Sequence, residues 1–188
     1  MTTAGTAQAP IVALVGLAGT GKSEAGRVLE SLGYEIVYFG GVVVEEVKRR
    51  GLAVSEANER IVREELRATH GMAAMAILKL PAIQEMLAQG KKVAIDGLYS
   101  FAEYELLKKT FGARLKLIAM HTAKPLRYAR MAQRPVRPLT AAEVDARDFF
   151  EIKNLDKGGP IAIADAHVVN DADPASFAAA LRAAIAQL

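Results

Sequence analysis

The segment Gly16-Leu-Ala-Gly19-Thr20-Gly21-Lys22-Ser23 sets glycines, a lysine and a hydroxyl at the spacing G-x-x-x-x-G-K-[ST]. The chemistry of that spacing is phosphate binding. Glycines let the backbone curl so that successive N–H groups converge on phosphate oxygens. Lys22 would reach the β- and γ-phosphates of a triphosphate, and the Ser23 hydroxyl would ligate Mg²⁺. A carboxylate stands at Asp96, the last residue of the apolar run Lys92-Val-Ala-Ile-Asp96. At a strand's carboxyl end beside such a loop, it would hold Mg²⁺ through water.

Two sets of cations accompany these groups. Arg127, Arg130 and Arg134 share one helix face, and from Lys124 to Arg137 there is no acidic residue. Unneutralised arginines at that spacing suit the charge spread over a transferring phosphoryl group. Arg147 follows on the next helix. Arg60, Arg63 and Arg67 also fall on one face and are candidates for substrate binding. Glu56, Glu59, Glu64 and Glu65 lie close enough in sequence to pair with them instead.

The elements that must position these residues alternate. Ile11–Val15 reads as a buried strand and Ser23–Leu32 as an amphipathic helix closed by Gly33. Tyr34–Phe39 reads as a second strand ending in Gly40-Gly41. Helical periodicity then runs from 42 to 89, with a turn at Gly51, an N-cap at Ser55 and a kink or break at Pro81. Strands are expected at 92–96, 114–121 and 166–169, and helices over about 101–111, from Pro125, from Thr140 to about Asn154, and from Pro174. Lys157-Gly-Gly-Pro160 reads as a loop. The implied fold is a three-layer α/β/α domain with a five-stranded parallel sheet. Within this single domain the core would be 10–41, 91–123 and 155–188, with a helical acceptor-binding insertion at 42–90 and a lid region at 124–154.

The chain has 188 residues and no cysteine, which excludes disulfides, thiolate metal sites and a cysteine nucleophile. Its formal charge of +3 is too small to argue for nucleic acid as a partner. Met1–Pro10 lacks a basic residue and an apolar core, so it fails as a secretory signal and reads as a frayed tail. No stretch approaches the roughly 20 apolar residues of a membrane span. The expectation is a cytoplasmic protein that binds ATP and a small phosphorylated acceptor, without nucleic acid or membrane.

A triphosphate loop alone leaves the reaction open. A GTPase switch would carry Asp-x-x-Gly and Asn-Lys-x-Asp, whereas here Gly97 directly follows Asp96 and Lys153-Asn154-Leu155-Asp156 has the wrong order. A ring or motor ATPase normally needs more chain, and a second acid where Gly97 stands. A small-molecule kinase needs an acceptor pocket, a lid and cations, and the chain offers each.

With these motifs the sequence resembles the nucleoside monophosphate kinase-like P-loop kinases. Within them it is similar to dephospho-CoA kinase and the archaeal adenylate-kinase-related proteins, from Ile11 onward. Asp96-Gly97-Leu-Tyr99-Ser100 with Glu103 is similar to their Asp-Gly-x-Arg-Ser segment. Arg127–Arg134 resembles the entry to their lid and Arg147-Asp148 its exit. Ile163–Asp171 is similar to the strand and loop bordering adenine, so the resemblance implies Asn170 as the base contact. It also implies Mg·ATP as phosphoryl donor, bound by Gly16, Gly19, Thr20, Gly21, Lys22, Ser23 and Arg134. Catalytic roles fall to Lys22, Asp96, Arg127, Arg130 and Arg134, and metal ligation to Ser23 and Asp96. Two departures stand out: Gly40-Gly41 replaces the aspartate expected after the second strand, and Tyr99 replaces an arginine. A regulator or ATPase without acceptor chemistry is the alternative.

Overall fold

The computed structural model describes residues 9–135 and 138–188. Arg137 and most of the N-terminal tail lie outside the described residues. Five strands, β1 (Ile11–Val15), β2 (Tyr34–Tyr38), β3 (Lys92–Asp96), β4 (Leu115–His121) and β5 (Ala166–Val169), form one sheet in the order β2-β3-β1-β4-β5. Every pairing is parallel. All five residues of β1 are buried, as a central strand covered on both faces requires.

The period of two along the strands sorts the core into two layers. Ile11, Ala13 and Val15 face a cluster built with α2 (Gly41–Arg49), α3 (Glu56–His70), α4 (Ala74–Ala88) and α5 (Phe101–Phe111). Val12 and Leu14 face the other side, where α1 (Lys22–Ser31) and α9 (Pro174–Ala186) supply Leu29, Phe177 and Leu181. Helix α4 continues through Pro81 rather than breaking there. Its N-terminal neighbour α3 starts at the expected cap, with the Ser55 side chain accepting from the Asn58 N–H.

Helices α6 (Lys124–Ala132) and α7 (Ala141–Leu155) have a small core of their own. Met131 and Val144 close over Ala18 of the glycine-rich loop, with Tyr128 and Leu139 at the edge. The segment read as a loop at Lys157–Pro160 instead opens a short helix, α8 (Gly158–Ala162), which packs on β4. No single helix among the described residues is long and apolar enough to cross a membrane.

Two of the cations in the acid-free stretch 124–137, Lys124 and Arg127, find carboxylates on α7. Asp148 takes the Arg127 guanidinium through both its oxygens, and Asp145 takes Lys124 at 2.7 Å. Arg127 is 5% exposed and Asp148 8%. Removing one partner from such a pair strands a buried charge, at a cost of about 3 kcal/mol. Asp148→Ala is therefore expected to lower the free energy of urea unfolding by about that amount. A loss below about 0.5 kcal/mol, the range of an exposed pair, would contradict the assignment.

Candidate active site

Strand β1 lies between β3 and β4, and the loop leaving its carboxyl end turns directly into α1. Central position and crossover on both sides make this end of the sheet a crevice. Gly16, Gly19 and Gly21 all take positive φ. At Gly21, the N-cap of α1, φ is 95°, and a Cβ would sit 2.1 Å from the Asn170 amide nitrogen. Glycine is the only residue that meets both conditions. The Asn170 amide donates to the Thr20 carbonyl at 3.0 Å, and the Thr20 hydroxyl to that of Leu17 at 2.9 Å. The Asn170 side chain, expected at a nucleotide base, is thus engaged with the phosphate loop itself.

The Lys22 ammonium crosses the loop, donating to the carbonyls of Gly16 (2.8 Å) and Leu17 (2.9 Å). Burial lowers its pKa to about 7, and the nearby Lys157 charge pushes in the same direction. Asp96 pairs in register with Leu14 of β1, which places its carboxylate beside the loop. Burial raises its pKa against the opposing pull of Lys22 and Lys157. Ser23, at the first turn of α1, is exposed. A hydroxyl and a carboxylate are hard oxygen donors and fit Mg²⁺. Among the described residues no cluster of three or more His, Cys, Asp or Glu side chains could hold a metal.

The arginines divide sharply. Arg127 donates to the Ala18 carbonyl at 2.8 Å as well as to Asp148, so it braces the loop from behind. This corrects the expectation that its guanidinium is available to phosphate. Arg130 donates to the Asn170 carbonyl at 2.9 Å and so ties α6 to the loop after β5. Arg134 is exposed at the end of α6. In the insertion, Arg60 is exposed and Arg63 lies 3.7 Å from Glu56. Arg67 turns inward, and its Nε is buried without a hydrogen bond among the described residues. Burial lowers its pKa, partly offset by Glu103. The sequence set 60/63/67 therefore sends one member toward the site.

Sequence reasoning missed a second tier of charge. Glu151 on α7 accepts from Arg147 Nε at 2.9 Å and from Lys157 Nζ at 2.6 Å. Burial alone would raise the Glu151 pKa, but the two cations hold it down at about 2. The Arg147–Glu151 spacing of four residues on one helix was the available signal. Lys157 has no such local mark. After β2, where an aspartate was expected, the Tyr38 ring folds over Gly40, where a Cβ would lie 2.3 Å from the phenol oxygen. Tyr38 is 48% exposed and free to swing aside, so this contact does not by itself account for the missing carboxylate.

Glu103 is a further buried carboxylate, capping α5 by accepting from the N–H groups of Tyr99 (2.7 Å) and Ser100 (3.1 Å). Its other oxygen has no hydrogen bond among the described residues. Burial pushes its pKa up to about 7, against those two N–H groups.

A family model described as an AAA domain matches residues 12–169. A UPF0200 protein of Pyrococcus abyssi is 34% identical over 164 residues, covering 86% of this chain and 87% of its own. A UPF0200/UPF0201 protein of Archaeoglobus fulgidus is 40% identical over 124 residues, 66% of this chain and only 38% of that longer one. Among solved structures, a gluconokinase from Sinorhizobium meliloti superposes with a TM-score of 0.59 at 14% identity, covering 96% of this chain and 93% of that one. A shikimate kinase from Aquifex aeolicus gives 0.55 at 20% identity, covering 93% of this chain and 95% of the other. These likenesses establish the fold.

Glu103 provides a check on the site's interior. A carboxyl whose folded pKa is raised adds stability fully present below its unfolded pKa, near 4.5, and lost as pH rises through about 7. Glu103→Gln should therefore lose stability relative to the parent at pH 4.5 by at least about 1 kcal/mol more than at pH 7.5. Chemical denaturation at the two pH values measures this, and a difference that does not change with pH would contradict the buried, protonatable state.

Proposed function

Starting from a chain that belongs to the AAA domain family over residues 12–169 and to the UPF0200 proteins, we propose that it is an ATP-dependent small-molecule kinase. It passes the γ-phosphoryl group to an acceptor that carries a phosphate of its own. The observation that carries this reading is the convergence, at the carboxyl end of β1, of the Gly16–Ser23 loop, Lys22, Asp96 and the α7 cation Arg147. Phosphoryl transfer between two anions calls for cations at this point, because charge accumulates on both reactants.

In this reading the backbone N–H groups of Gly19 to Ser23 cradle the β-phosphate, aided by the positive end of α1. Lys22 leaves the carbonyls of Gly16 and Leu17 for the terminal phosphates. Ser23 and Asp96 hold Mg²⁺, which supplies charge neutralisation on the transferring group when bound. Arg134 and Arg147 close from the lid, while Arg127 and Arg130 act by holding the loop and the α6–β5 junction in place. Arg67 faces the acceptor from α3.

Dephospho-CoA and nucleoside monophosphates are the two acceptor classes that fit this reading. The lack of a carboxylate at Gly40-Gly41 favours the second. A ribose hydroxyl needs a base to become a nucleophile, whereas a phosphate oxygen is already anionic at neutral pH.

The test is ADP release by the full chain with Mg·ATP across dephospho-CoA and a panel of nucleoside monophosphates. Acceptor-stimulated turnover is expected, with Lys22→Ala lowering it about 100- to 1000-fold. ATP binding without stimulation by any acceptor would favour a nucleotide-binding regulator or simple ATPase instead.

A further inference from the structure

Lys157 belongs to no part of the phosphate-loop pattern, yet its side chain is among the most buried in the molecule, with 1% of the residue exposed. Lysine is almost never fully buried without a specific partner. Here the partner is Glu151 Oε2 at 2.6 Å, on a carboxylate whose other oxygen is already taken by Arg147. The ammonium also lies over the Tyr99 ring, 4.8 Å from its centroid. That ring in turn covers Gly97, where a Cβ would lie 2.9 Å from it. Gly97 directly follows Asp96, so the stack delivers Lys157 to the carboxyl end of β3. Lys157 is also the strongest charge acting on Lys22.

The pairing around it is not that of a closed structural ion pair. Lys157 and Arg147 share the single carboxylate of Glu151, and Lys22 donates only to the carbonyls of Gly16 and Leu17. One carboxylate shared by two cations, beside a third cation bound only to carbonyls, is the arrangement of a site that expects a further anion.

We infer that Lys157 is a second phosphate-contacting lysine of this site, and that Glu151 is an internal anion holding Lys157 and Arg147 until nucleotide phosphate displaces it. The inference rests on the reading of Gly16–Ser23 as a triphosphate cradle and assigns to it two residues outside the motif. Its consequence is a split between binding and stability. Both members of the pair support the fold, but for phosphate one is a ligand and the other a competitor.

Isothermal titration of the full chain with Mg·ATP at pH 7.5, alongside thermal melting, separates the two roles. Lys157→Met is expected to weaken ATP binding about 10- to 100-fold. Lys157→Arg should keep it within about 5-fold of the parent, because the charge is retained. Glu151→Gln should bind ATP several-fold more tightly than the parent, even though it melts lower. If Lys157→Met does not fold, Glu151→Gln decides alone, tighter binding supporting the inference and weaker binding overturning it. Weaker binding in both neutral variants, in step with their melting temperatures, would make the pair purely structural. A parent chain that binds no ATP at all would instead remove the phosphate-loop reading beneath it.

Discussion

Moving an ammonium or guanidinium out of water costs several kcal/mol unless a counter-charge travels with it. This chain makes that move repeatedly around the carboxyl end of β1. Arg127 is compensated in full by Asp148 and a loop carbonyl. Lys157 and Arg147 divide one carboxylate, and Lys22 has only carbonyls. The gradient from compensated to uncompensated charge runs from α6 to the glycine-rich loop. Helices α6 and α7 are held by the compensated pair, and the chemistry proposed above depends on the rest.

The same constraint bears on α6 and α7. Met131, Val144 and Ala18 form a small apolar cluster that buries little surface. The Arg127–Asp148 pair and the Arg130 contact with the Asn170 carbonyl add direction to that packing. Both contacts also touch the phosphate loop or its neighbour: Arg127 through Ala18, and Asn170 through Thr20. Helix α6 is thereby tied to the geometry of the loop.

The parts legible in the sequence were those encoded by neighbours. The Gly16–Ser23 loop, the strand ending at Asp96 and the Ser55 and Thr140 caps are all local patterns, and the sheet follows from their alternation. The charge pairings were less accessible because folding decides them. Arg127 looked unneutralised since Asp148 lies 21 residues away on another helix. Lys157 was hidden in a Gly-Gly-Pro stretch that reads as a loop. Asp156, at φ 51°, ends α7 and swings the chain so that Lys157 returns to Glu151. The placement of the Tyr38 ring over Gly40 is likewise something no spacing rule gives.

Bound polyphosphate would supply the counter-charge for cations that share one carboxylate, Lys157 and Arg147, or have only carbonyls, Lys22. Proton linkage reads this out. With burial lowering the Lys22 pKa to about 7 in the free chain, most of its side chains are neutral at pH 8, and a bound triphosphate would restore the charge. Calorimetric titration with Mg·ATP at pH 8, in buffers of differing ionisation enthalpy, counts the protons exchanged. A net uptake approaching about one proton per ATP bound is expected. Binding with no exchange, or with proton release, would contradict it.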